Sequence, residues 1–288
     1  MSRKLLFFIN PISGIKNKKL LTAQIEKKCA EENINFEIES TNKEGDYSFL
    51  KNKIREESFT DVIIGGGDGT ISRVCSFLIN TDVNIGLLPV GSGNGLAYAA
   101  GIHSNLKKAL DIIFKGKTEW IDGFSVNNQF GCMLSGTGFD ALVAHDFATT
   151  KKRGLITYII KCLKYFFKSK SFRFSIIIND KKIKTEAFFI SIANSNQFGN
   201  YVTIAPMASL SDGLLDIIIV KKMNKVKIVF SLIKQILFGK IINLDEINYD
   251  KKDIIYLQAE SIIINNHDGA PFHIDGEPAA TSSSFEIK

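Results

Sequence analysis

The first 120 residues alternate between short apolar runs and longer polar stretches with helical spacing. Residues 4–10, KLLFFIN, form an apolar run of strand length that ends at Pro11. The pattern continues with a helix at 16–33, a half-buried strand at 34–40, a helix at about 46–58, a strand at 61–64, a helix from about Thr70, a strand at 84–90 and helices to about Lys115. Strands that alternate with helices predict a largely parallel sheet covered on both faces.

After Trp120 the hydrophobic pattern changes to short strand-like runs joined by turn residues. Four such runs are FRFSIIIND, EAFFISIAN, LLDIIIVKK and SIIINN, and helical stretches interrupt them at about 154–168 and 224–238. This pattern favours an antiparallel β-sandwich over further βαβ units. We therefore predict an α/β domain at 1–121 and a β-sandwich domain at 122–288, with an extreme C-terminus that could return to the first domain.

Composition adds few constraints. The longest uncharged stretch, residues 83–106, contains Gly, Asn, Ser and Pro89, so it is not interpreted as a membrane span. The basic, apolar N-terminus lacks the features of a signal peptide. The four cysteines are scattered, and the four histidines show no metal-ligand spacing, so neither supports zinc. The net charge of +6 is compatible with an anionic partner but does not identify one.

Three of the predicted strands end in glycine-rich loops, NPISG (10–14), GGGDGT (65–70) and PVGSGNGLA (89–97). Glycine lets a ligand approach main-chain N–H groups, and such groups at a helix N-terminus bind phosphate. Additional donors are Ser13, Thr70, Ser92 and Asn94. The loops match neither a Walker A loop nor a dinucleotide-binding fingerprint. Since ligands of open parallel sheets bind at the carboxyl ends of strands, the three loops together predict a phosphate site.

Asp68 is a carboxylate within this predicted phosphate site. Its charge would repel the ligand unless it holds magnesium or accepts a proton from an attacking hydroxyl. The alternative is that Asp68 caps the helix that follows. Further acids in motif-like settings are Asp122, Asp140, Asp212, Asp216, Asp275 and Glu277, although aspartate before glycine is often only a turn.

Taken in order, NPISG, GGGDGT, PVGSGNGLA, the Asp-Gly at 122, GFDA at 138, SDGLLD and HIDGEP resemble the diacylglycerol/sphingoid lipid kinase family. The resemblance runs from residue 8 to residue 278. It implies an N-terminal ATP-binding domain similar to phosphofructokinase and NAD kinase, and a C-terminal β-sandwich for the lipid substrate. The implied activity is ATP- and Mg²⁺-dependent phosphorylation of a lipid hydroxyl, with diacylglycerol converted to phosphatidic acid.

Carried over residue by residue, the resemblance implies a set of ATP contacts and catalytic acids. The ATP contacts, with Asn94 added as a donor of the third loop, are Asn10, Pro11, Ser13, Gly14, Thr41, Gly66, Gly67, Asp68, Gly69, Thr70, Ser92 and Asn94. Glu277 would be the general base, with Asp68 as the alternative, and Asp122 would belong to the same acidic network. Asp212 would bind a structural magnesium ion, with main-chain carbonyls from Ser209 and Leu214.

Two of the departures from the family pattern bear on the substrate. The third loop reads GSGNGLA, which resembles sphingosine and ceramide kinases more than bacterial diacylglycerol kinases, so a sphingoid acceptor is an alternative. Ser72-Arg73 follows the second loop and is reminiscent of NAD kinases. Further alternatives are therefore NAD kinase and a nucleotide- or lipid-binding module without kinase activity.

Two basic amphipathic stretches, 153–174 and 225–240, could lie on an anionic membrane surface, or could simply pack against the β domain. We favour 153–174 as the membrane-facing segment. The expected partners are a membrane lipid substrate and an anionic membrane surface, with a homodimer as a further option and no nucleic acid. The expected location is cytoplasmic, with peripheral membrane association.

Overall fold

The structure is a computed structural model of the 288-residue chain, and it describes residues 3–14, 18–150, 155–197, 203–238, 241 and 251–288. The chain divides into two compact units, Met1–Trp120 and Ile121–Lys288. Each unit has its own hydrophobic core and is described separately.

The first unit is a parallel α/β sheet. Its strands are β1 (Lys4–Ile9), β2 (Asn35–Ser40), β3 (Asp61–Gly66) and β4 (Asn84–Pro89), in the order β2-β1-β3-β4, and every pair is parallel. Its helices are α1 (Lys18–Glu31), α2 (Leu50–Glu57), α3 (Asp68–Leu78), α4 (Gly95–Ala99) and α5 (Leu106–Lys115). The predicted parallel sheet is confirmed. Residues 16 and 17 of the predicted first helix lie outside the described residues.

The central strand β1 is buried on both faces, because its alternate residues contact different helices. Leu5, Phe7 and Ile9 join the core formed with α1 and α5. On the opposite face, the Phe8 ring packs edge-on against Tyr47, with 5.1 Å between ring centroids. Tyr47 in turn contacts Phe77 of α3.

An ion pair closes the amino end of this sheet. Arg3 Nη2 lies 2.6 Å from Asp61 Oδ1, and Asp61 is buried at the first position of β3. The same guanidinium donates to the main-chain oxygens of Ile113 and Phe114, at the end of α5. Arg3 therefore pairs a buried carboxylate and also caps the carbonyls at a helix C-terminus.

The second unit is an antiparallel sheet with three helices in its described part. Its strands are β5 (Phe124–Val126), β6 (Gln129–Gly131), β7 (Leu134–Gly138), β8 (Phe172–Ile178), β9 (Lys181–Ala193), β10 (Leu215–Lys221), β11 (Ile254–Ala259), β12 (Ile262–Asn266), β13 (Phe272–Ile274), β14 (Glu277–Ala279) and β15 (Ser284–Ile287). Its helices are α6 (Phe139–Ala148), α7 (Leu155–Lys168) and α8 (Lys225–Phe238).

The eleven strands form one sheet in the order β14-β13-β7-β9-β8-β12-β15-β5-β6, with β10 paired to β9 and β11. The long strand β9 has three neighbours, so the sheet branches there and curls around its core. The predicted antiparallel fold is confirmed. The closing strand β15 pairs with β12 and β5 within this second sheet.

Helix α6 was not predicted from the sequence. It begins directly after Gly138, which has a φ of +96° and would place a Cβ atom too close to the Phe188 carbonyl. The strand therefore turns into a helix without any intervening loop residues. None of the described helices is long and apolar enough to cross a membrane.

Candidate active site

The first two glycine-rich loops are joined by hydrogen bonds at the carboxyl end of β1 and β3. Asn10 donates its main-chain N–H to Gly65 O at 2.7 Å, and its Nδ2 donates to Thr70 Oγ1 at 2.8 Å. Asn10 also organises its own loop, because its Oδ1 accepts from Ile12 N and its carbonyl accepts from Ser13 Oγ at 2.8 Å. One asparagine therefore fixes the NPISG loop against the first turn of α3.

The third loop meets the second through two glycines. A Cβ atom on Gly91 would overlap the Gly67 Cα and would come within 2.9 Å of the Gly67 nitrogen. The close approach of these two main chains therefore requires a residue without a side chain at position 91, and a Cβ atom on Gly67 would lie 3.2 Å from the Gly91 Cα. Asn94, with a φ of +55°, holds the turn, since its amide group accepts from Gly91 N and donates to Gly91 O, both at 2.9 Å.

Asp68 is the first residue of α3. The N-cap position is Gly67, which has no side chain, so the alternative interpretation of Asp68 as the cap is wrong. The Asp68 carboxylate instead lies beside the third loop, where its Oδ1 accepts from Leu96 N at 3.3 Å. A negative charge in the first turn is stabilised by the helix dipole.

The structure brings most of the predicted ATP contacts to the carboxyl ends of adjacent strands. Thr41 follows β2 and bonds through its N–H to Ile9 O at 3.0 Å, and its side chain is buried. Ser92 is exposed, whereas the Asn94 amide is buried and bonded within its own loop. The others come from the three loops: Asn10, Pro11, Ser13, Gly14, Gly66, Gly67, Asp68, Gly69 and Thr70.

In the second unit, Asp122 and the loop of Asp212 are brought together. Asp122 Oδ2 accepts from Gly213 N at 2.7 Å, and Asp122 N donates to Leu210 O at 2.6 Å. Asp212 Oδ1 accepts from Leu214 N at 3.1 Å, which closes a turn within the loop. Ser209 lies in the same loop, with its hydroxyl oxygen accepting from Ser211 N.

These groups form an oxygen-only set of possible metal ligands. The Asp122 carboxylate is bound by the loop that carries Asp212 and its main-chain carbonyls, and hard oxygen donors of this kind suit Mg²⁺. Among the residues that the structure describes, no group of three or more His, Cys, Asp or Glu side chains is placed to hold a metal. A magnesium ion at this loop would therefore need carbonyl and water ligands as well.

Asp216, at the other end of the SDGLLD segment, is completely buried in β10. Burial raises the pKa of its carboxyl above the usual range, and the neighbouring Asp212 adds to that effect. Tyr256 opposes it by donating a 2.5 Å hydrogen bond to Asp216 Oδ1. Asp216 is therefore part of the core below the Asp212 loop.

Glu277 begins β14, the edge strand of a tight hairpin. Asp275 and Gly276 form its two-residue turn, with φ values of +50° and +80°, which is the pattern of a type I′ hairpin. Glu277 is exposed and pairs across the strands with Ile274. The hairpin presents the predicted base at the edge of the sheet.

Asp275 is buried and anchors this hairpin to the segment before β7. Its carboxylate accepts main-chain N–H bonds from Cys132 at 3.0 Å, Met133 at 2.9 Å and Leu134 at 3.0 Å. Its own N–H donates to Leu134 O at 2.7 Å. The first acid of the DGE motif is therefore structural.

A buried Asp–His pair supports the same turn. His273 Nε2 lies 3.4 Å from Asp140 Oδ2, and His273 Nδ1 accepts from Gly276 N at 3.2 Å. Burial raises the pKa of the Asp140 carboxyl, an effect that His273 opposes. Gly136 leaves room for this carboxylate, since a Cβ there would overlap Asp140 Oδ2.

The spacing of the histidines along the chain does not predict this pair. The only signal was the position of His273, two residues before Asp275 in HIDGEP. Asn194 was also overlooked, although its Nδ2 donates to Asp122 O at 2.7 Å and to Cys132 O at 3.0 Å. It links Asp122 to Cys132, whose N–H group binds the Asp275 carboxylate.

Comparisons with known families agree with this two-part organisation. Residues 4–126 match the family model of the diacylglycerol kinase catalytic domain. Residues 134–285 match that of the YegS C-terminal NAD kinase beta sandwich-like domain.

Individual relatives match over most of their length. The chain is 28% identical to the "Diacylglycerol kinase" of Bacillus subtilis (strain 168), over 93% of this chain and 88% of the relative. It is 31% identical to the "Probable lipid kinase YegS" of Shigella flexneri, over 87% and 86%. A crystal structure of a diacylglycerol kinase from Bacillus anthracis str. Sterne has the same fold, with a TM-score of 0.74 at 19% identity, over 99% of this chain and 93% of that chain.

Proposed function

This chain belongs to the bacterial diacylglycerol kinase-like lipid kinase family, and from that premise we propose that it is an ATP- and Mg²⁺-dependent kinase for diacylglycerol. The reaction would transfer the γ-phosphoryl group to the lipid hydroxyl and give phosphatidic acid. The observation that carries the proposal is the meeting of the second and third glycine-rich loops at Gly67 and Gly91, beside the Asp68 carboxylate in the first turn of α3.

The glycine loops have the chemistry of a triphosphate site. Main-chain N–H groups at the start of α3 would bind phosphate oxygens, supported by the helix dipole. Hydroxyl and amide groups of the three loops, with Thr41, would orient the nucleotide. The chemistry that Mg²⁺ supplies when bound is neutralisation of charge on the phosphoryl oxygens, and Asp68 is the carboxylate available to hold it.

Glu277 is the proposed general base. Its carboxylate would take the proton of the lipid hydroxyl as the lipid oxygen bonds to the γ-phosphorus, while the bond from that phosphorus to the bridging oxygen breaks and ADP leaves. The hairpin supports this role because it fixes the position of Glu277. Asp68 remains the alternative base.

The proposed site of a structural magnesium ion is formed by Asp122 and by the loop that carries Asp212. Asp122 and Asp212 would supply carboxylate oxygens, and Ser209 and Leu214 main-chain oxygens. The supporting observation is that Gly213, next to Asp212, donates its N–H to the Asp122 carboxylate. Asp122 would belong to the acidic network of the active site through this loop.

A sphingoid acceptor is the second candidate. The third loop reads GSGNGLA and lacks the Thr and the second acid that bacterial diacylglycerol kinases usually carry there, and its Gly95 is buried at the start of α4. Recognition of the acceptor can therefore differ from that of those enzymes. In either case, the lipid would be reached through peripheral contact with an anionic membrane surface, by a monomer or a homodimer.

The test is phosphoryl transfer from γ-labelled ATP with Mg²⁺ and mixed micelles that each contain one candidate lipid. Label in extracted phosphatidic acid is the expected result, and Asp68→Asn is the matched inactive control. Label in a sphingoid or ceramide phosphate would show that this lipid, and not diacylglycerol, is the substrate. Label only in the aqueous phase after addition of NAD would indicate NAD kinase. Binding of ATP without transfer to any acceptor would indicate a binding module.

A further inference from the structure

Helix α8 has an apolar face directed away from the sheet. Val226, Phe230, Ile233 and Leu237 follow the spacing i, i+4, i+7 and i+11, so they form one stripe along the helix. All four are exposed, with Phe230 at 68% and Leu237 at 64%. An ordinary surface helix has polar residues in these positions.

The buried face of α8 includes a polar residue. Its two buried residues are Ile228 and Gln235, and the Gln235 amide lies 3.4 Å from Ile204 O. The helix therefore buries a glutamine while it exposes a phenylalanine and a leucine. Folding alone does not explain this inversion, because exposed apolar area provides no stability to a monomer in water.

Helix α7 repeats the pattern with the same spacing. Ile156, Ile160, Leu163 and Phe167 are at i, i+4, i+7 and i+11, and all are exposed, Phe167 at 73%. The inner face of α7 packs on α6, where the Tyr158 ring meets Phe147 with 5.6 Å between centroids. Its outer stripe is therefore separate from the contacts that hold α7 in the fold.

The end of α7 and the beginning of α8 are in direct contact. Lys225, the first residue of α8, donates to Ser169 O at 2.9 Å. Its ammonium group also lies 5.0 Å from the centre of the Phe166 ring. The two outward stripes thus belong to helices that are joined to one another.

The charges on the two helices have one sign. They contain six lysines and no acidic residue. Lys161 is neutralised by Asp146 at 2.5 Å, and Lys227 by Asp253 at 2.6 Å, whereas Lys168 and Lys234 are exposed at the border of the stripes. Apolar residues bordered by lysines match the acyl chains and the phosphate groups of an anionic bilayer.

We propose that the outward faces of α7 and α8 form a single membrane-docking surface, an inference that deepens the proposed function by naming where the enzyme meets its lipid. The surface extends beyond the segment favoured by the sequence, residues 153–174, of which 153 and 154 lie outside the described residues. A second copy of the chain is a poorer occupant, because a two-fold interface would place each lysine-bordered surface against itself.

The experiment measures sedimentation of the full chain with vesicles, in the absence of ATP and diacylglycerol. We expect binding to phosphatidylcholine vesicles that contain phosphatidylglycerol, and much less to phosphatidylcholine alone. The combined variant Phe230→Gln, Ile233→Gln and Leu237→Gln should lower the partition coefficient roughly 100-fold, given the apolar area removed. Lys168→Glu with Lys234→Glu should lower binding to the anionic vesicles only.

The matched control is Ile85→Gln with Ile112→Gln, which removes exposed apolar residues from the first unit and should leave vesicle binding unchanged. All variants should keep their activity on a water-soluble short-chain diacylglycerol.

If the triple variant sediments like the wild type, the proposed docking surface is wrong even if the kinase is active. If it remains bound but changes from dimer to monomer by light scattering, the stripes are a self-association surface. Vesicle binding by a protein that phosphorylates no lipid would leave this surface in place and refute the proposed function.

Discussion

At the scale of single residues, two carboxylates of one hairpin have opposite surroundings. Asp275 is buried and accepts three main-chain N–H bonds, whereas Glu277 is exposed at the start of an edge strand. A buried, fully bonded carboxylate is poorly placed to exchange protons with a substrate, and an exposed one is well placed. Asp275 therefore anchors the hairpin, and Glu277 is the candidate base.

Replacing Glu277 with Gln should lower turnover roughly 10²- to 10⁴-fold while ATP affinity is unchanged, because only the proton acceptor is lost. Steady-state kinetics with labelled ATP and a nucleotide-binding titration would measure the two quantities. Full activity in Glu277→Gln would instead favour Asp68 as the base.

Asp275→Ala is the companion variant. It should lower both activity and the free energy of unfolding, the latter by at least about 2 kcal/mol, because three buried N–H groups lose a charged acceptor. Urea unfolding would separate this variant from Glu277→Gln, which should unfold like the wild type.

Asp216 predicts a pH dependence of stability. Its folded-state pKa is raised, so the folded protein keeps this proton to higher pH than the unfolded chain. The stability that this proton contributes is fully present below the pKa of the unfolded state, about 3.9, and is lost as pH rises through the pKa of the folded state. The side chain of the Asp216→Asn variant does not titrate. The stability of this variant relative to the wild type should therefore increase with pH, by about 1.4 kcal/mol per pH unit between the two pKa values.

Urea unfolding of wild type and Asp216→Asn at acidic and neutral pH would measure this difference. A constant difference across the range would contradict the raised pKa of Asp216. Glu286→Gln is the matched control, because it removes an exposed carboxylate of β15 instead of a buried one.

Sequence patterns could not identify the residue-scale contacts of the hairpin. Asp140 and His273 are 133 positions apart, and Asp275 is 141 to 143 positions from the N–H groups that it binds. Such contacts depend on strand pairing, and neither spacing nor composition encodes the pairing partner. Local motifs could show that Asp275 precedes a glycine, but not that it is buried.

At the scale of elements, the third glycine loop has no room for a side chain at position 91. Gly91→Ala should separate this loop from Gly67, lowering ATP affinity and the free energy of unfolding, the latter by about 1–3 kcal/mol. Calorimetric ATP titration and thermal unfolding would measure both.

Gly101→Ala is the matched control for that loop. Its φ of +70° would be strained by a side chain, but no atom lies within 4 Å of the added Cβ. This variant should lose about 1 kcal/mol of stability and keep its ATP affinity. Equal affinity losses in the two variants would show that the close approach of the loops is unimportant.

Elements were predictable where their hydrophobic period was regular. Of the four parallel strands, β1, β3 and β4 were identified as short apolar runs, and β2 was identified as an alternating, half-buried run. The start of α3 at Asp68 and the existence of α6 were not, because glycines with no side-chain preference precede both helices. At such positions the neighbouring backbone, rather than the local sequence, decides where a helix begins.

At the scale of the whole molecule, each unit has a separate hydrophobic core. Since the predicted nucleotide contacts belong to Met1–Trp120, saturating ATP should protect that unit first. At 100 times its Kd, ATP should add about 2.7 kcal/mol to the opening free energy of amides in β1 and β3, measured by hydrogen exchange. Amides of β8 and β9 serve as the internal control, and equal protection there would contradict a nucleotide site confined to the first unit.

The Arg3–Asp61 pair has a practical consequence for attaching the protein to surfaces. It fixes the beginning of β1 at the amino end of the first sheet, whereas the glycine-rich loops follow the carboxyl ends of the same strands. The six residues of β1 separate the two ends by about 20 Å. A biotin introduced ahead of Arg3 should therefore attach the protein without obstructing nucleotide binding, whereas a label that replaces Arg3 would leave Asp61 without its partner.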